Sequence, residues 1–335
     1  MTDLINVIEH CYSFEGDTDA WLRGVTEAAA PLAPLGKHVV AGMVFQFREG
    51  LAELPHIHVT TPDGSGTDEV VRRLCRPSDP AVARSVFSAN PVVAFASKVK
   101  GHPAFAHGRN HVEALLGYDD VVGVRTIAEP GRGVVLTFPL WRDTAFGPRE
   151  IAAWQRIAMH VGTGLRLHDR MQTSKPEPEA ILSPSGKVEH AEEAAKSAIA
   201  REQLARATRA IDKARGKLRR VDPQEALELW RCLVDGTWTL IDTFDSDGRR
   251  YVVAHRNKRS LRPALGEKLT DRERDVLARL ADGHTNKLIG YELGLSASTV
   301  GTLLQRAAAK LGASSRAELV AMARTRLARA VDSKP

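Results

Sequence analysis

The sequence predicts an α+β multidomain protein: an antiparallel sheet with helices at the amino end, a helical and hairpin middle segment, and an all-α four-helix domain at the carboxyl end. Three observations predict it. Strand-type apolar runs joined by turn chemistry fill the first half, an Ala-, Arg- and Glu-rich helical stretch follows, and four capped amphipathic segments close the chain. At 335 residues the chain exceeds the ~250–300 residues at which one core stops growing, so more than one domain is expected. A composition of 43% hydrophobic and 26% charged residues excludes a disordered or fibrous protein. No run approaches the ~18 apolar residues of a membrane span, and the start carries Asp3 and Glu9 rather than a basic, apolar leader. Cys11, Cys75 and Cys232 stand far apart without CxxC spacing, which excludes a disulfide scaffold and a structural zinc finger. A cytoplasmic protein without membrane contact is expected.

In chain order, Leu22, Val25, Ala29 and Leu32 recur at helical spacing. Val39 to Phe47 is a β-rich run and His56 to Thr60 alternates. Val121 to Ile127 and Val134 to Leu140 are two further strand-like runs, joined by the turn residues Glu129-Pro130-Gly131-Arg132-Gly133. A long helix follows, with Ile151, Trp154, Ile157, Val161 and Leu165 on one face and Pro148 near its start. Helix, antiparallel strands, hairpin and closing helix define a first domain over residues 1–174, bounded by the Pro-rich Ser174 to Glu179 stretch.

The middle segment, residues 175–256, opens with a strand-turn-strand (AILSPSGKVEHA) and continues as a helix from about Glu189 to Arg220. Leu204, Ala207, Ile211, Ala214, Leu218 and Val221 fall at steps of three and four. That spacing suits a coiled-coil seam, but two of its six residues are alanine, and packing on the neighbouring domain is the favoured use. After Pro223 a second helix carries Leu227, Trp230 and Leu233, and a hairpin turns at Asp245-Ser246-Asp247-Gly248. Residues 257–266 are basic, aperiodic and contain Pro263, and read as a linker to a domain over 267–330.

That last domain is punctuated residue by residue. Thr270 with Glu273 is a capping box, and Val276, Leu277 and Leu280 form the buried stripe of its first helix. Asp282-Gly283 stops this helix. Thr285 caps a second one, whose inner face is Leu288, Ile289 and Leu293 and whose end is Gly294. Ser296 caps a third helix with Val300, Leu304, Ala307 and Leu311 on one face, closed by Gly312. Ser315 with Glu318 opens a fourth.

Two short helices joined by a glycine turn form a helix-turn-helix, whose second helix enters the major groove. Opposite its core face the third helix presents Ser298, Thr302, Gln305, Arg306 and Ala309. Small residues permit close approach, while Gln305 and Arg306 reach base edges or phosphates. Asn286, Lys287 and Thr299 stand near helix starts, where short polar side chains and backbone N–H groups hold phosphate oxygens. Charge agrees: residues 257–335 carry 15 Lys and Arg against 8 Asp and Glu, whereas residues 1–174 carry 17 against 19.

The marks LTDRERDVL, DGHTNKLIGYELGLSASTV and KLGASSRAELV, over about Lys268 to Ala323, resemble the LuxR-type (NarL/FixJ-like) helix-turn-helix of bacterial transcription regulators. The resemblance implies that Thr299, Thr302, Gln305, Arg306 and Lys310 lie at or beside double-stranded DNA, and that the fourth helix contributes to a homodimer. Two positions depart from it: the family usually carries Lys or Arg where Gly301 stands and His where Leu303 stands. Loss of that cation removes a contact worth roughly 1–3 kcal/mol if it was base-specific. The first domain, ending in GVVLTFPLW and EIAAWQRIAMHVGTGLRL, resembles a GAF-type sensor, which implies a sheet with a small-molecule pocket on one face. The stretch DGTW to DSDGRRY is similar to segments that precede DNA-binding domains in some bacterial regulators.

Other chemistries have thinner support. His56 and His58 share a strand face, and His102, His107 and His111 cluster, but no HExxH-like motif completes a metal site. Asp119-Asp120 lacks the α/β alternation of a receiver domain, and the five tryptophans do not fit an acyl-homoserine-lactone pocket. No phosphate loop or nucleophile elbow is present, so neither enzyme nor cofactor is expected. The sequence therefore predicts a dimeric DNA-binding transcription regulator, modulated by a small molecule or protein at its amino-terminal domain. A regulator whose helix-turn-helix grips a partner protein is the alternative.

Overall fold

The computed structural model describes residues 3–33, 39–48, 51–61, 87, 92–95, 120–129, 131–141, 146–174, 177–235, 238–244, 248–256 and 269–332. His102, His107, His111, Asp119, Cys75, the turn residues 245–247 and the linker at 257–266 lie outside them. The first part contains α1 (Leu4–Cys11), α2 (Thr18–Ala29), β1 (Val40–Arg48), β2 (Leu51–Thr60), β3 (Val93–Phe95), β4 (Asp120–Glu129), β5 (Arg132–Leu140) and α3 (Pro148–Ser174). The strands form one antiparallel sheet in the order β2-β1-β5-β4-β3. The predicted runs fall on β1, β2, β4 and β5, and the hairpin turns at Gly131, whose φ of 78° is left-handed.

Strand alternation gives the sheet two apolar faces. Val40, Val44, Val134, Leu136 and Phe138 join the cluster built by α1, α2 and α3. Met43, Phe45, Ile57, Val59 and Val135 point the other way and form a separate cluster with Phe87. His56 and His58 lie beside carboxylates of α2, with Asp19 at 3.0 Å and Glu27 at 3.6 Å. Among the described residues no group of three His, Cys, Asp or Glu could hold a metal ion. Nor is any described helix long and apolar enough to cross a membrane. Helix α1 crosses α3 at Gly164, where a Cβ would stand 2.3 Å from the Cys11 carbonyl oxygen; only glycine permits that approach.

The middle segment builds a second antiparallel sheet, in the order β7-β6-β9-β8, from β6 (Ala180–Leu182), β7 (Val188–Ala191), β8 (Trp238–Phe244) and β9 (Arg250–Arg256). Between β7 and β8 run α4 (Ala198–Lys213), α5 (Pro223–Trp230) and α6 (Cys232–Asp235). The helix expected from Glu189 begins nine residues later, at Ala198. Residues 188–191 form the second strand of the expected strand-turn-strand and pair with β6, and Ser197 accepts the Ala200 N–H as the helix cap. The seam residues Leu204, Ile211 and Ala214 are buried in the molecule's own core, while Val221 is 68% exposed, so this seam packs internally. Leu182, Leu204, Leu227, Trp230, Leu240 and Val252 share one continuous apolar cluster with α1 and α3. A π-turn over Ala214–Leu218 adds ionic contacts, carrying Arg215 and Arg219 to Glu9 at 3.1 and 3.2 Å, and Arg219 to Asp3.

The carboxyl-terminal part consists of α7 (Asp271–Ala281), α8 (Asn286–Leu293), α9 (Ala297–Leu311) and α10 (Arg316–Asp332). Its own core contains Val276, Leu277, Leu280, Ile289, Val300, Leu304, Ala307 and Leu319. One predicted member is missing. Leu288 is buried, but in the cluster of the first two parts, where Tyr291 of the same helix accompanies it. Helix α8 thus feeds two cores from two faces.

Candidate nucleic-acid interface

Each boundary of the helix-turn-helix follows from a local bond. Thr270 Oγ1 accepts the Glu273 N–H and the Glu273 carboxylate accepts the Thr270 N–H, closing the capping box. Thr285 and Ser296 accept the N–H groups of Leu288 and Thr299, at 3.2 and 3.0 Å. Gly294 and Gly312 end α8 and α9 at φ of 66° and 72°. Gly290 explains how tightly the turn is folded, since a Cβ there would stand 2.5 Å from the Leu295 carbonyl oxygen.

These bonds present one face of α9 to solvent. Ser298, Thr299, Thr302, Gln305, Arg306 and Ala309 are exposed, and Val300, Leu304 and Ala307 face inward. The Thr299 hydroxyl lies 2.8 Å from that of Ser296, and the Ser298 hydroxyl lies 2.7 Å from it. The Thr302 hydroxyl donates to the Ser298 carbonyl. Among the described residues no hydrogen bond or ion pair occupies Gln305 or Arg306. At the start of α8, Lys287 is exposed, and half-buried Asn286 accepts from Arg316 of α10 at 3.1 Å. Gly301 lies beside Asn286, with 3.7 Å between its notional Cβ and Nδ2.

Lys310 differs from its neighbours. Its ammonium lies 2.7 and 3.0 Å from the two carboxylate oxygens of Glu273, a residue only 2% exposed. Burial opposes ionisation of Glu273, but the Lys310 and Thr270 bonds outweigh it and hold the carboxyl below its usual range. This pair ties α9 to the start of α7.

Sequence reasoning missed the ionic core and the docking contacts of this domain. Glu292 of α8 receives Arg279 of α7 at 2.8 Å and His284 at 3.2 Å. Burial pushes the Glu292 carboxyl up, yet those two partners outweigh it and hold it at about 2. Tyr291 leaves the domain altogether: its hydroxyl donates to the Leu227 carbonyl at 3.1 Å and lies 3.2 Å from His160 Nε2. The Arg156 guanidinium of α3 stands 5.7 Å from the centre of its ring. From β4, buried Arg125 donates to the carbonyl of Asp282, the cap of α7, at 2.7 Å. Burial lowers the Arg125 pKa to about 10, which leaves it charged at the negative end of α7. The one available sequence signal was an aromatic at a helix position where a solvent-facing side chain is expected to be polar.

The arrangement is that of a four-helix helix-turn-helix domain with an open second helix. Residues 267–323 match the family "Bacterial regulatory proteins, luxR family". The chain is also 50% identical over 58 residues to a protein of Pseudomonas aeruginosa described as "Putative transcriptional regulator". That similarity spans 17% of this chain and 28% of the relative, and so concerns one domain. Both comparisons concern the helix-turn-helix domain alone.

Proposed function

We propose that the protein is a sequence-specific DNA-binding transcription regulator, acting as a homodimer and modulated through its amino-terminal part. The observation that carries this reading is the free outer face of α9, with Gln305 and Arg306 unengaged above small side chains. Ser298, Thr299 and Thr302 permit close approach to the groove, and Gln305 and Arg306 read base edges or phosphates. Asn286 and Lys287 meet the backbone where the first helix of such a pair crosses it. Lys310 belongs to this group through its family position, with its charge shared by Glu273.

A GAF-like role for residues 1–174 draws support from the five-stranded antiparallel sheet, helical on one side. Its second apolar face gathers Met43, Phe45, Ile57 and Val135 into a buried cluster of its own, separate from the one under the helices. The alternative, a regulator that grips a protein instead of DNA, is favoured by Gly301 and Leu303, where the family carries a cation and a histidine.

Binding to duplex DNA across a salt series tests the reading. Contact of a dimer with roughly 6–10 phosphates loses ~10³–10⁵ in affinity between about 50 and 200 mM salt. A flat response, with retained pull-down of protein partners after nuclease treatment, selects the alternative.

A further inference from the structure

Helix α8 carries two apolar faces, although a DNA-binding domain held only by a linker needs one. Ile289 enters the domain's own core, and Leu288 and Tyr291 enter the core of the first two parts. Both are nearly inaccessible, at 4% and 7% exposed. The Tyr291 ring is received by Arg156 and His160 of α3, and its hydroxyl by the Leu227 carbonyl of α5. Arg125 makes a second contact to the same domain, at the Asp282 carbonyl. Two contacts on different elements fix an orientation, as one pivot does not. All of this lies away from the outer face of α9, which stays open while the domain is docked.

We infer that Tyr291 is a positioning residue for DNA reading: its seat on α3 and α5, together with Arg125, sets the direction in which α9 is presented. The inference rests on the DNA-binding dimer proposed above and names how its geometry is fixed. A dimer with rigidly oriented reading helices accepts only half-sites at a matching separation, one helical turn of about 34–36 Å or a multiple of it. A domain free to swivel accepts several separations. Regulation then acts on the seat: a change at α3 or α5 redirects α9 without touching it.

Selection of bound duplexes from a random-sequence pool, with the full-length protein, tests this. The unaltered chain should enrich paired half-sites at one separation. Tyr291→Glu, which puts a charge where no solvent reaches, should enrich the same half-site sequence with that preference lost. Tyr291→Phe keeps the ring and should restore the single separation. Arg125→Gln opens the second contact and replaces Tyr291→Glu if that chain does not fold. An unchanged single separation in the opened variants overturns the inference, and so does enrichment of isolated half-sites by the unaltered chain. Absence of any enriched half-site in every variant overturns the DNA reading itself, and the inference with it.

Discussion

Tyr291 of α8 and His160 of α3 meet through one hydrogen bond of 3.2 Å across 131 positions of the chain. The Tyr291 hydroxyl proton goes to the Leu227 carbonyl, so its oxygen accepts, and His160 Nε2 must carry the proton it receives. His160 Nδ1 then accepts from the Tyr12 hydroxyl at 3.0 Å. The chain runs Tyr12, His160, Tyr291, Leu227, with a partner for every polar atom named in it. Burial drives the His160 pKa down to about 3, so the imidazole is neutral, as this order requires.

Tyr291→Phe breaks that order and leaves the His160 N–H and the Leu227 carbonyl buried without partners. A loss of about 1–3 kcal/mol in unfolding free energy is expected. Urea denaturation measures it, and an unchanged midpoint would show that both groups find other partners.

Acid should loosen the docking. His160 takes up a proton near pH 6.5 when unfolded but near 3 when folded, so its contribution is complete above 6.5 and declines as pH falls towards 3. The limiting slope for one such group is about 1.4 kcal/mol per pH unit. Glu292 follows the same sign, between 4.5 and about 2. Between about pH 6.5 and 5.5, His160→Gln should lessen the slope of the stability profile, to which the burial-depressed His168 and His255 also contribute, while Glu292→Gln leaves it unchanged. Melting curves across that range separate the two.

Arg306 and Lys310 should part company under substitution. Arg306→Ala removes an exposed, unengaged cation and is expected to weaken DNA binding with the melting temperature held. Lys310→Met strands the buried Glu273 carboxylate and is expected to lower stability by about 1–3 kcal/mol, discounted because Lys310 itself is 37% exposed. Equal melting temperatures for the two variants would contradict this division.

Gly301→Lys supplies the cation that the family carries at this position. The added Cβ makes an ordinary 3.7 Å contact with Asn286, so the fold should tolerate it. Tighter binding and a salt slope steeper by about one are the expected results. An unchanged slope would mean that residue 301 faces no phosphate.

Gly290→Ala tests the turn between the two helices. Its Cβ would press within 2.5 Å of the Leu295 carbonyl, a backbone atom that cannot swing aside. Overpacking of about 1–3 kcal/mol is expected. Circular dichroism melting reads it, and an unaffected domain would show that the turn relaxes.

Much of the local structure was legible in the amino-acid order. The caps at Thr270, Thr285 and Ser296 and the stops at Gly294 and Gly312 each depend on residues three or four positions apart. The four longer strands of the first sheet announced themselves, one by alternation and three as β-rich apolar runs bounded by turn residues. Short β3 and the helix α1 did not, since three residues carry no period and α1 is only eight long. The strand-turn-strand over residues 180–191 was legible, but the helix after it was begun nine residues too early, at Glu189, because its Ala- and Glu-rich composition already starts within the second strand, whose state is fixed by pairing with Ala180–Leu182.

By itself, the sequence determined a capped helix-turn-helix with a sparsely substituted second helix, because capping, periodicity and glycine stops act within a turn or two of chain. Tertiary structure alone decided that Leu288 and Tyr291 belong to a different core from Ile289, and that Lys310 answers to Glu273. An apolar side chain declares that it will be buried but carries no label for its destination. That choice is made by burial against whichever surface the rest of the chain brings near.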